Sequence, residues 1–93
     1  MIELNPLLHS QLRLAVMSIM MTVEHADFVY LREKTKSTSG NLSVQLDKLS
    51  SAGYISLERN TIGKRPRTLC SITHKGRQAF EAYVAALKSY LNL

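Results

Sequence analysis

Cysteine is almost missing from this chain. Cys70 stands alone, which excludes an internal disulfide and any multi-cysteine metal site and fits a reducing cytoplasm; it reads as a small core residue. Long apolar runs are missing too. No stretch approaches the roughly 18 residues of a membrane span, and the opening Met1-Ile2-Glu3-Leu4-Asn5-Pro6 has neither the basic nor the apolar region of a signal peptide. A soluble, cytoplasmic protein with no membrane partner is expected. There is no internal repeat and no low-complexity segment. Catalytic constellations are lacking as well. His9, His25 and His74 are far apart without ligand-spaced partners, and Gly63-Lys64-Arg65 does not have P-loop spacing. No catalytic residue, metal or cofactor is expected, and the chain does not read as an enzyme.

Acid is scarce, and its distribution is uneven. Lys plus Arg is 12 against 7 Asp plus Glu, a formal charge of +5. Ten of the twelve basic residues lie between Arg32 and Arg77, against only Glu33, Asp47 and Glu58. A basic middle between near-neutral ends is the footprint of a face that binds a polyanion. With 93 residues there is room for one domain and one core, not for separate binding and sensing domains.

The stretch Ser37 to Gly53 carries the most information. Leu42, Leu46 and Leu49 recur at i, i+4 and i+7, one face of a helix with a core to dock on. The other face bears Ser39, Asn41, Ser43, Gln45, Asp47 and Lys48. These are mostly short hydrogen-bonding side chains where an ordinary solvated helix would carry long Glu and Lys. Such groups can sit on phosphates and read base edges in the major groove. Ser37 or Thr38 can cap the helix start, aiming backbone N–H groups and the positive end of the dipole outward, and Gly53 can end it in the left-handed conformation. An N-capped amphipathic helix with a polar outside would account for this segment taken alone; its neighbours favour a DNA-recognition helix.

Upstream, Asn5-Pro6 predicts a helix start, with Asn as N-cap and Pro at the first position, and a first helix running to about Thr22. Its apolar residues spread well beyond one stripe, so contact with a second copy is expected, with Met17, Met20 and Met21 packing in that interface. Glu24-His25-Ala26 predicts a short link with one or two residues of strand. Asp27 caps a second helix from Phe28 to about Thr35, and Lys34-Thr35-Lys36 makes a turn without the glycine often found there, completing a helix-turn-helix.

Downstream, the period changes to two. Ile55 to Arg59 and Thr68 to Ile72 predict a β-hairpin with a long tip, Arg59 to Arg67, that holds four cations and no acid. Pro66 is expected to keep the outer hairpin from pairing as a regular ladder. Thr73 caps a last helix, His74 to about Leu91, whose stripe Phe80, Val84, Leu87 and Leu91 again exceeds what a short helix needs.

These residues carry a family resemblance. Phe28-x-x-Leu31, Gly40-Asn41-Leu42-Ser43-x-x-Leu46-x-x-Leu49-x-x-Ala52-Gly53-Tyr54-Ile55, the tip Lys64-Arg65-Pro66-Arg67-Thr68, and Thr73-x-x-Gly76-Arg77 resemble the short members of the MarR/ArsR-like winged-helix transcriptional regulators. The likeness covers about half the chain, from Phe28 to Arg77. The expected fold is mainly α with a small β-hairpin, in the order α-α-α-β-β-α with a short extra strand near residues 24–26, as one domain over residues 1–93. The resemblance implies a homodimer, built through the end helices, that binds a pseudo-palindromic operator in double-stranded DNA and usually represses. Ser37, Thr38, Ser39, Gly40, Asn41, Ser43, Val44, Gln45 and Lys48 are the recognition-helix candidates. Lys36, Arg59, Lys64, Arg65 and Arg67 are the wing and phosphate candidates. Leu8, Leu12, Ile19, Val84, Leu87 and Leu91 are the dimer-interface candidates, and any small effector should be apolar and lie at that interface. The competing expectation is a winged helix used as a protein-interaction module without sequence-specific DNA binding.

Overall fold

Three side-chain caps divide the chain. Asp27 Oδ1 accepts the Val29 N–H at 2.7 Å, Thr38 Oγ1 the Asn41 N–H at 3.2 Å and Thr73 Oγ1 the Gly76 N–H at 2.9 Å. Each capping residue is extended, and each opens a helix. In the computed structural model, which describes residues 3–91, the order is α1 (Gln11–Met20), β1 (Ala26–Asp27), α2 (Phe28–Thr35), α3 (Ser39–Ser51), β2 (Ile55–Ile62), β3 (Arg65–Ile72) and α4 (His74–Tyr90). This is the winged-helix order expected from the sequence, with the extra strand at Ala26–Asp27. Met1 and Ile2, part of the stretch read above for a leader, lie outside the described residues.

The sheet is antiparallel in the order β1-β3-β2, with Ala26 opposite Cys70 and Leu57 opposite Cys70 from the other side. Leu31 of α2, Leu42, Leu46 and Leu49 of α3, Val16, Met17 and Met20 of α1, and Cys70 close one core. The join from α3 to the sheet is a Schellman motif: Tyr54 N–H donates to the Leu49 carbonyl at 3.0 Å and Gly53 N–H to that of Ser50 at 2.9 Å, with Gly53 at φ +79°. No helix of the described residues is long and apolar enough to cross a membrane.

Three expectations need correction. The first helix begins at Gln11, not Pro6, and ends at Met20. Asn5 Oδ1 does accept the Leu7 N–H, at 2.9 Å, and the Asn5 carbonyl that of His9, at 3.0 Å, but only one turn forms before Ser10 goes extended at φ −151°. That break sends Leu8 fully into the core. The hairpin tip is not a long loop. β2 and β3 pair regularly out to Ile62 and Arg65 around a two-residue turn, Gly63-Lys64. The pair flanking such a turn exchanges hydrogen bonds, so the next pair, Thr61 and Pro66, does not. Pro66 therefore turns its missing N–H to the open side of β3, beyond the end of β1. Finally, Leu8, Met17 and Met20 are 0% exposed within their own chain and have no surface left for a partner.

Candidate nucleic-acid interface

The turn between α2 and α3 is made by a lysine. Lys36 adopts the left-handed conformation, φ 54° and ψ 38°, where glycine would be unstrained. The N–H groups of Lys36 and Ser37 return to the carbonyls of Glu33 and Arg32 at 3.3 and 3.2 Å, and the Lys36 side chain is exposed. Short polar residues complete the corner. The hydroxyl of Thr35 donates to the Leu31 carbonyl at 2.7 Å and lies 2.8 Å from that of Ser37. Arg32 Nη1 donates to Ser39 Oγ at 3.0 Å.

With its leucines buried, α3 exposes Gly40, Asn41, Ser43, Val44, Asp47 and Lys48 in one outward strip. Val44 is 50% exposed, a methyl-bearing surface among donors and acceptors, as a thymine methyl would require. A Cβ built on Gly40 meets nothing within 4 Å. The fold itself does not need glycine there, and the absent side chain leaves the start of α3 open to close approach from outside.

The candidates named from the sequence thus separate. Asn41, Ser43, Val44, Lys48, Lys36 and the tip residues Lys64 and Arg65 are exposed. Thr38 is exposed but occupied as a cap, Ser39 is engaged by Arg32, and Ser37 is half-buried within the turn. Gln45 is half-buried, accepting from Arg13 Nη1 through Oε1 and donating to Asn41 Oδ1 at 2.9 Å; it braces the strip from behind. Arg59 lies 3.9 Å from Asp47 with both side chains largely exposed, which tempers the one acid on the strip. Arg67 donates to Asp27 Oδ2 at 2.9 Å, so its charge ties the wing to the start of α2. Burial alone would raise the pKa of Asp27, but hydrogen bonds from the Val29 N–H and the Arg67 guanidinium outweigh it and hold the carboxyl below its ordinary 3.8.

Sequence reasoning passed over Arg13. It is the only charged residue in α1, and a cation on an otherwise apolar helix needs a polar partner when it packs inward, which was the available signal. Cys70 is fully buried, and burial first, then the charge of Asp27, pushes its thiol up to about 11 against an opposing pull from Arg59. Such a thiol is poorly nucleophilic. No cluster of three or more metal-ligating side chains occurs among the described residues.

A helix-turn-helix whose second helix presents a polar strip, followed by a basic hairpin, defines a winged-helix nucleic-acid-binding domain. The family described as "Winged helix DNA-binding domain" matches residues 12–91, and the chain belongs to it. An uncharacterised protein of Methanocaldococcus jannaschii, MJ0432, is 36% identical over 76 residues, 82% of this chain and 83% of that protein. A transcriptional regulator homologue from Pyrococcus horikoshii superposes with a TM-score of 0.85 at 26% identity, covering 92% of this chain and 85% of that one. A MarR-family transcriptional regulator from Silicibacter pomeroyi superposes with a TM-score of 0.69 at 18% identity, covering 89% and 55%, a likeness of fold. The family is that of winged-helix DNA-binding domains, and the fold is shared with small transcriptional regulators.

Proposed function

We propose that the protein is a sequence-specific regulator that binds duplex DNA as a homodimer on a pseudo-palindromic operator and represses by occupying it. The observation that carries this reading is the exposed strip Gly40, Asn41, Ser43, Val44 and Lys48 on α3, joined by the exposed cations Lys36 of the turn and Lys64 and Arg65 of the wing. The strip has the hydrogen-bonding character of a major-groove reader, and the cations are suited to phosphates. Arg59 belongs to the phosphate set in part, since it shares Asp47. Arg67 serves the wing's attachment instead.

The dimer reading is supported by what one chain leaves uncovered. Leu12 and Ile19 of α1 and Phe80, Val84 and Leu87 of α4 are only half-buried, while Tyr90 and Leu91 are 37% and 58% exposed. A second copy placed against this surface would cover it and set two α3 helices about one helical turn, roughly 34 Å, apart. An effector, if one acts, would be a small apolar molecule held in that seam.

Selection of bound duplexes from random DNA tests the reading. The expected product is an inverted repeat with half-sites about one turn apart and a protein sedimenting at twice its monomer mass. A protein-interaction module would enrich no sequence and would bind duplex no more strongly at low salt than at high, because no counterions are released.

A further inference from the structure

Behind the exposed strip runs a hydrogen-bond relay whose direction is fixed by its first member. The half-buried guanidinium of Arg13 donates from Nε to the Leu7 carbonyl at 2.6 Å and from Nη1 to Gln45 Oε1. Gln45 Nε2 donates to Asn41 Oδ1 at 2.9 Å. Carboxamides can generally be turned end for end with little change in shape. Here they cannot, because a guanidinium has five donors and no acceptor. The end of Gln45 that faces Arg13 must be oxygen, so the end that faces Asn41 is nitrogen, and Asn41 must answer with oxygen. Turning either amide would bring two donors or two acceptors together. Asn41 Oδ1 keeps one lone pair beyond the bond from Gln45, while Nδ2, a pair of donors on an exposed residue, has no partner among the described residues.

We infer that Arg13 is a specificity-determining positioning residue: acting through Gln45, it fixes Asn41 as a hydrogen-bond donor toward the major groove. The base edge that suits such a group is one made of acceptors, N7 and O6 of guanine. The two-point grip of an asparagine on adenine needs the amide oxygen for the N6 amino group, and the relay holds that oxygen turned back along α3. The inference rests on α3 being the DNA-reading element.

Two substitutions change the relay in opposite ways. Gln45→Glu keeps an acceptor for Arg13 but offers Asn41 only oxygen, so the Asn41 amide must turn round and present its own oxygen outward. Arg13→Met removes the anchor and lets both amides turn. Asn41→Asp presents oxygen whatever the relay does, and so supplies the reference for an acceptor at this position. All three are to be checked for cooperative unfolding and then compared with the wild type by selection of bound duplexes from random DNA. At one base pair in each half-site, Gln45→Glu should move the preference from guanine to adenine or cytosine by about ten-fold, matching Asn41→Asp, with the other positions unchanged. Arg13→Met should flatten that same position. A wild type that selects no sequence would overturn the DNA-reading assignment itself. A wild type that selects a sequence, with Gln45→Glu and Arg13→Met keeping its base preferences throughout, would overturn the relay alone. If Arg13→Met does not fold, side-chain amide exchange in the free wild type decides: protection at Gln45 Nε2 and none at Asn41 Nδ2 is expected, and the reverse pattern contradicts the relay.

Discussion

Asp27 joins three elements with one side chain: one oxygen caps α2, the other holds Arg67 of β3, and its backbone lies in β1. Its folded pKa lies below the ordinary 3.8 because the bonds from Val29 and Arg67 outweigh the cost of burial. A carboxyl depressed in this way contributes stability that is fully present above its unfolded value and is lost as the pH falls through the lower folded one. Asp27→Asn keeps a capping oxygen but loses the ion pair. It should cost roughly 0.5–1 kcal/mol at neutral pH and make the loss of stability below pH about 4 less steep, as followed by denaturant unfolding across pH. An unchanged acid dependence would mean that the Asp27 to Arg67 bond is idle. At this scale the sequence was half legible. Asn41, Ser43 and Val44 could be placed on the outer face from helical phase alone, because phase is a property of one element. That Gln45 is claimed by Arg13 and Arg67 by Asp27 depends on which neighbour another element delivers, and spacing along one helix or strand carries no such information.

Elements begin and end here where local chemistry speaks clearly. The caps Asp27, Thr38 and Thr73 and the left-handed Gly53 were readable because each acts within a few residues of itself. The start of α1 was not, since Asn5-Pro6 does open a turn, and the break at Ser10 that lets Leu8 enter the core depends on packing against other elements. Pro66 was misjudged because its cost depends on whether a strand lies beside it, and β1 stops short of that point. Two glycines mark the contrast between fold and site. A Cβ on Gly76 would lie 2.0 Å from the Tyr54 carbonyl oxygen, since the first turn of α4 crosses the backbone where α3 gives way to the wing. Gly76→Ala should therefore destabilise by about 3 kcal/mol or more, lowering the melting temperature by on the order of 10 °C or more. Gly40→Ala meets nothing and should be neutral or stabilising by up to about 1 kcal/mol, yet weaken DNA binding if the phosphate backbone approaches there. Comparable melting temperatures for the two variants would contradict the account of Gly76, and undiminished binding by the second would contradict that of Gly40.

The whole molecule is elongated, 51 × 25 × 21 Å, with α4 leaving apolar surface uncovered along its outer stripe. Leu91 is exposed enough in the single chain that Leu91→Glu should leave the monomer folded, raise the dimer dissociation constant by ten-fold or more, and weaken operator binding with it. Sedimentation across concentration reads the change in the dissociation constant. Full dimerisation of that variant would move the seam elsewhere. Within the proposed dimer the two DNA-facing elements divide the work by geometry. Lys64 and Arg65 ride at the end of a projecting hairpin, where long cations can follow phosphates or enter the minor groove, whose base code is degenerate. Asn41, Ser43 and Val44 are fixed on a packed helix. The most direct test is a salt titration of Asn41→Ala and of the Lys64→Ala, Arg65→Ala double variant on the selected operator and on random duplex. The wing variant should weaken both DNAs by similar factors and reduce the salt slope by about one unit per lost phosphate contact. Asn41→Ala should cost on the order of 1–3 kcal/mol on the operator, little on random DNA, and leave the slope nearly unchanged. An Asn41→Ala protein with the wild-type ratio of operator to random affinity would show that α3 is not the reading element.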